Sequence, residues 1–242
     1  MQKKSRITLR GLLTAILVLI AVPACVLYGA TALGDRKYFF ISLIVLACSM
    51  LPFFVLFEHR KPQARELVTL AVMCAIAVAG RAAFYMLPQF KPVAAIVIIT
   101  GVCLGAQSGF LVGAVSAFVS NFFFGQGPNT PWQMFAFGII GFLAGILYEH
   151  GPLKSSRLSL CIFGGLSTFL LYGGIVNLGT LLISGIPLTL PSFIAVCATG
   201  LPFDLIHAAA SVVFLFLLSR PMIEKLERMK IKYGLLEKED DK

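Results

Sequence analysis

Long apolar stretches alternate with short polar ones along the whole chain. A membrane-spanning helix needs about 20 mostly apolar residues. Runs of that kind predict helices over about 11–33, 38–57, 66–87, 92–105, 107–124, 131–148, 159–184 and 191–219. The fourth is short and is parted from the fifth only by Gly105-Ala106-Gln107-Ser108-Gly109. The first run follows Lys3, Lys4, Arg6 and Arg10, as a signal peptide would. It is longer than a signal h-region and a second run follows at once, so it is expected to be retained as a helix.

Composition sharpens this pattern. Apolar residues make up 58% of the 242 residues and charged ones 13%, and mean hydropathy is +0.91. A soluble domain carries about twice that charged share. The expected class is therefore an all-α integral membrane protein of about eight spans. The net charge of +9 does not suggest nucleic acid, because the basic residues sit in short clusters between apolar runs. With eight spans, 16 of the 20 Lys and Arg residues fall on the side of the termini. Arg36, Lys37 and Lys91 fall on the other side, and Arg81 lies inside a helix. Positive residues favour the cytoplasm, so both termini are expected there. The organisation expected is a pair of helices over 1–60, a six-helix core over 61–220 and a charged cytoplasmic tail over 221–242.

The six cysteines lie singly in apolar runs, with no CxxC and no Cys/His cluster. They read as small hydrophobes, and neither a metal, a disulfide framework nor a cofactor is expected.

Polar residues inside membrane helices are costly and usually functional. Here they are expected at one depth, near the outer surface. Arg81 and Tyr85 fall in the outer third of the third helix, and Asn121 near the outer end of the fifth. Tyr172 and Asn177 lie in the outer half of the seventh, and Asp204 and His207 in the outer half of the last, on one face. Gln89 and Lys91 come from one outer loop. The stretch FFFGQGPNTPWQM at 122–134 adds Gln126, Asn129, Trp132 and Gln133, with glycines and prolines to shape a tight loop over the site. Such convergence predicts a pocket open to the outside rather than a pore. Blander roles exist for single members: an Arg81–Asp204 ion pair, Trp132 as an interfacial belt residue, Asn121 and Asn177 as interhelical glue, His207 as a core histidine. On the third helix, Ala71, Ala75 and Ala79 form a small-residue stripe that suits either internal packing or close approach of another helix.

The segments GRAAFYMLPQFKPVAAIVIITG, SGFLVGAVSAFVSNFFFGQGPNTPWQMFAFGIIGFLAG, YGGIVN and GLPFDLIHAAASVVFLFLLSRPM resemble the substrate-binding S component of energy-coupling-factor (ECF) vitamin transporters. The resemblance covers about residues 62–230 and leaves the two N-terminal helices as an addition. It implies a multi-pass protein of a bacterial cytoplasmic membrane that captures a micronutrient from outside. It also implies docking on a transmembrane T component with two cytoplasmic ATPases, whose ATP use topples the S component. By the resemblance, the docking face is Ala71, Ala75 and Ala79, the gate is the loop from about Leu87 to Pro92, and the ligand is a cobalamin-like corrinoid. A queuosine-type base, riboflavin or pantothenate remain alternatives. The chain has no GxxxxGK[ST] sequence, so ATP is expected to be used by partners. Two other readings stand beside this one: a proton-coupled secondary transporter using Asp204 and His207, and an intramembrane enzyme using the same pair.

Overall fold

The computed structural model describes Met50, Phe57 and residues 63–234. The predicted helix 11–33, nearly all of 38–57 and the end of the tail lie outside the described residues. The eight-span count and the side of the termini lie outside them too.

Among the described residues there are helices and no strands. They are α1 (Ala64–Ala83), α2 (Val93–Leu104), α3 (Ala106–Phe124) and α4 (Thr130–Glu149). A fifth segment begins as α5 (Arg157–Ser167), passes through a π-helical turn (Thr168–Tyr172) and continues as α6 (Gly173–Ile183). The last helix is α7 (Leu190–Tyr233). Among the described residues, five segments are long and apolar enough to cross a membrane: α1, α3, α4, α5 to α6 as one, and α7.

The exception, α2, has 12 residues, all of them buried. At 1.5 Å per residue it rises only about 18 Å, well short of a hydrocarbon core about 30 Å thick. Its sequence, VAAIVIITGVCL, is apolar on every side, as suits a helix buried all round. It packs against α1, α3, α4, α5 and α7 and forms the centre of the bundle. Gly105, at φ 91°, ends α2 and starts α3 in a single residue.

The most extensive pairing joins α3 and α4, and glycines make it possible. A Cβ on Gly113 would stand 2.5 Å from the Phe137 carbonyl oxygen, and one on Gly109 would stand 2.5 Å from that of Gly141. In lipid, where apolar burial gives no net drive between helices, such close backbone approach supplies the packing. Helix α1 uses its small residues differently. Leu70, Met73 and Ala77 face inward, while Ala71, Ala75 and Ala79 lie on the exposed face. The stripe is therefore not spent on packing among the described helices.

Two boundaries differ from the sequence expectation. The third predicted helix was to run to 87, but α1 ends at Ala83 and a turn carries the chain on. Pro88 keeps Leu87 out of the helix, since a proline disfavours helical conformation in the residue before it, and the Lys91 ammonium holds the Phe84, Tyr85 and Leu87 carbonyls in the turn. Tyr85 is therefore in the turn and not in the helix. The last predicted helix was to end at 219, yet α7 continues to Tyr233 through Pro202 and Pro221. Leu226 is buried, and Met222 and Ile223 pack on the core. Arg220–Glu224 and Lys230–Glu227 pairs at helical spacing support this extension weakly.

Candidate functional site

The site is built by two helical faces and one loop. On α7, Val196, Thr199, Gly200, Phe203, Asp204 and His207 repeat at helical spacing and share a face. Opposite them stand Tyr172, Val176, Asn177 and Thr180 from the π turn and α6. Gln133, in the first turn of α4, and Gln89, from the loop between α1 and α2, complete a cavity of about 400 Å³. That is within the usual range for small-molecule sites. Its walls mix apolar surface with amide, hydroxyl and carboxylate groups and carry no cationic side chain.

The two walls lock by a reciprocal exchange of glycine for polar group. Asn177 Nδ2 donates to Asp204 Oδ2 at 2.8 Å. The Asp204 carboxylate lies against Gly173, where a Cβ would stand 2.9 Å from its Cγ. The Asn177 amide lies against Gly200, where a Cβ would stand 2.7 Å from Oδ1. Each helix thus carries a glycine four residues before its polar group, facing the other helix's polar group. One amide N–H satisfies the carboxylate only in part, since an ionised carboxylate accepts up to about four hydrogen bonds.

The floor is aromatic. His207 is buried between Tyr172, whose ring centroid is 4.5 Å away edge-on, and Phe137 at 5.8 Å. Phe137 is seven residues into α4, about 10 Å from its start at 1.5 Å per residue. The π turn is tied beneath this floor: Thr168 Oγ1 donates to Ser211 Oγ at 2.9 Å, and Ser211 Oγ donates to the His207 carbonyl at 2.9 Å. Single π-helical turns recur at functional sites because they re-aim the side chains around them; this one ends at Tyr172 and precedes Asn177.

A second polar group supports the cavity from behind. Arg81 Nη1 donates to Asn121 Oδ1 at 2.7 Å and also to Ser120 Oγ. Asn121 Nδ2 donates to Gln133 Oε1 at 2.9 Å and to Thr130 Oγ1 at 3.0 Å. This relay runs from α1 through α3 to α4 and fixes the glutamine at the cavity wall. The Arg81 guanidinium also lies 4.4 Å from the centroid of Phe124, and Tyr85 packs against that ring, tilted, at 5.2 Å.

The outer loop is shaped by Lys91, whose Nζ donates to the carbonyls of Phe84, Tyr85 and Leu87. Partial burial and the nearby Arg81 pull this ammonium below the ordinary lysine range. Gln89, at φ 54°, is the described non-glycine residue in the left-handed region. Such a conformation costs of order 1 kcal/mol and persists where surroundings enforce it; here it belongs to the loop residue that lines the cavity.

Of the residues singled out from sequence, Gln89, Gln133, Tyr172, Asn177, Asp204 and His207 come together around the cavity. Arg81, Tyr85, Lys91, Asn121, Gln126, Asn129 and Trp132 do not line it. Arg81 and Asp204 are not paired with each other, because Arg81 is held on α3 and Asp204 by α6. Trp132 is only 3% exposed and lies in a core cluster with Phe110, Phe135 and Leu182. Its ring fills the space left by Gly179, where a Cβ would stand 2.5 Å from Cγ. The loop 125–129 is stitched to the helix ends. Gln126 Nε2 donates to the Phe118 carbonyl at 3.0 Å, and Thr130 Oγ1 donates to Gln126 Oε1 at 3.0 Å. No hydrogen bond joins Asp204 to His207 among the described residues, and no group of His, Cys, Asp and Glu there could hold a metal. Sequence reasoning missed Thr180, Thr199, Phe203 and Phe124. The first two sit three residues after Asn177 and eight, or about two turns, before His207, and a search along those helix faces would have found them.

Comparison with known proteins gives one match. The family model described as ECF transporter, substrate-specific component matches residues 65–219. The match spans α1 to α7 and includes every residue that lines the cavity. No curated protein and no solved structure matches the chain.

Proposed function

Because the chain belongs to the family of ECF transporter substrate-specific components, we propose that it is the high-affinity binding subunit of an ATP-driven micronutrient importer. Proteins of this family are transport subunits rather than enzymes, set in the cell membrane by multiple helices and working with a T component and ATPases. The observation that carries the reading for this chain is the cavity between α6 and α7, with its partly satisfied carboxylate and three amide side chains.

In this reading a ligand enters past the loop at Gln89, which the Lys91 clamp holds in shape. Asp204 accepts hydrogen bonds from its donor edge. Gln133, Asn177 and Gln89 offer amides that pair with either donors or acceptors. The Tyr172 and His207 rings meet edge-on at the deep end, so a ring of the ligand can pack against them there. The volume supports a compact ligand of the nucleobase, flavin or amide-bearing acid kind. A corrinoid with its axial base, which the resemblance favours, is several times larger than about 400 Å³. Recruitment of the T component falls to the exposed Ala71, Ala75 and Ala79 face of α1, where small side chains allow close helix approach. Energy then comes from the partner ATPases, and the lone carboxylate in the cavity serves the ligand rather than a proton path.

The test is reconstitution of the full chain in liposomes, using the ligand identified by mass spectrometry of the purified protein. Uptake is expected only with T component and ATPases present and ATP supplied. Uptake by the chain alone, driven by a proton gradient, would overturn the reading in favour of a secondary transporter.

A further inference from the structure

At the end of the bundle opposite the cavity, two hollows meet at Arg157. One, of about 490 Å³, is lined by Ser155, Ser156, Arg157, Arg220, Ile223 and Glu224. The other, of about 480 Å³, runs along the seam between α5 and α7, past Leu158, Cys161, Val213, Phe216 and Leu217. Their chemistry differs sharply. The first brings together two guanidinium groups and two hydroxyls. Its single carboxylate, Glu224, accepts from Arg220 Nε at 2.9 Å and so occupies one of the five N–H donors of that side chain. The second is apolar apart from Arg157 at its mouth and the Cys161 thiol, which donates to the Val212 carbonyl.

Arg157 joins the two hollows. Its guanidinium lies 5.3 Å from the centroid of the Phe216 ring, a cation–π distance that holds the charge above the apolar seam. The walls of the seam, Leu158, Val213, Phe216 and Leu217, are exposed on the outside of the bundle. Its floor is shallow because α5 presents Cys161 and Gly165 to α7, where a Cβ on Gly165 would stand 3.0 Å from Val212 Cγ2. The level is also set by the sequence. The apolar run of α7 ends at Ser219 and charged residues begin at Arg220, while that of α5 begins just after Arg157. The two arginines therefore stand where the helices pass from hydrocarbon to headgroup.

We propose that these hollows form one binding site for an anionic phospholipid of the adjoining leaflet. Its phosphate sits between Arg157 and Arg220 within reach of the Ser155 and Ser156 hydroxyls, and one acyl chain lies along the seam. Guanidinium groups suit phosphate oxygens by charge and by fork geometry. A free phosphate has no use for the apolar half of the site, and a zwitterionic lipid brings no net charge to the arginine pair.

The test is native mass spectrometry of the full chain, with phosphatidylglycerol and phosphatidylcholine of matched acyl chains added in turn. One phosphatidylglycerol per chain is expected to be retained in preference to phosphatidylcholine. The double change Arg157→Gln, Arg220→Gln should weaken retention roughly 30-fold, at the usual worth of two basic residues facing an anionic surface. Val213→Trp fills the seam, keeps both arginines and should weaken retention as well. If the double variant does not fold, Val213→Trp decides alone. Equal retention of the two lipids, retention unchanged by Val213→Trp, or displacement of phosphatidylglycerol by inorganic phosphate would overturn the proposal. Binding of the micronutrient at the opposite end should stay as in the wild type throughout, which separates failure here from failure of the transport reading.

Discussion

At the scale of single residues, Asp204 and Asn177 are where the energetics of binding concentrate. Asp204 keeps most of its acceptor capacity after pairing with Asn177 at 2.8 Å. A hydrogen bond to a charged group is worth about 1.5–3 kcal/mol. Asp204→Asn should therefore weaken ligand binding about 10- to 100-fold in a calorimetric titration, with little change in melting temperature. Equal affinity would remove this carboxylate from the site. Gly200→Ala tests the packing that positions it, since the new methyl group would press on Asn177 Oδ1. Overpacking costs about 1–3 kcal/mol, so both affinity and thermal stability should fall; an unchanged variant would mean that the walls yield freely. These polar residues were legible in the sequence because a carboxylate and an amide within apolar helices are conspicuous. What was not legible is which of them face the same space. Trp132 and Asn121 looked equally available, yet one fills the gap beside Gly179 and the other holds Gln133 from behind.

Among the secondary-structure elements, the helices announce themselves and their ends do not. Apolar runs of about 20 residues placed α3 and α4 within a residue or two. The stop at Ala83 goes with a turn that Lys91 holds and Pro88 keeps from helix, and the extension of α7 to Tyr233 with apolar residues spaced among charges. The use of small residues was legible only in part. The alanine stripe on α1 stood out, while the glycines that seat α3 on α4 passed unnoticed among many others. Two substitutions separate these faces. Gly113→Leu should lower the melting temperature by several degrees, because its side chain has nowhere to go but into the Phe137 carbonyl. Ala75→Leu lies on the exposed face and should leave melting and ligand affinity alone while abolishing ATP-driven uptake by the assembled transporter. Full uptake by Ala75→Leu would place the docking face elsewhere.

At the scale of the molecule, the described residues form a bundle around a short buried helix, with a cavity at one end and, at the other, an arginine-lined hollow joined to an apolar seam. A central helix of 12 residues, sheathed on all sides, gives the outer helices a fixed support. The cavity then lies between the two walls formed by the last segments, α6 and α7, with one loop at its mouth. Nothing in the hydropathy pattern could reveal that division, since every helix is apolar and the pattern reports burial in lipid and in protein alike. The most direct measurement of the central claim is the amount of ligand retained per chain after purification from its native membrane, for wild type and for the double variant Asn177→Leu, Asp204→Leu. The account predicts one compact, hydrogen-bonding molecule per wild-type chain and none in a folded double variant. A ligand retained equally by both proteins would contradict it.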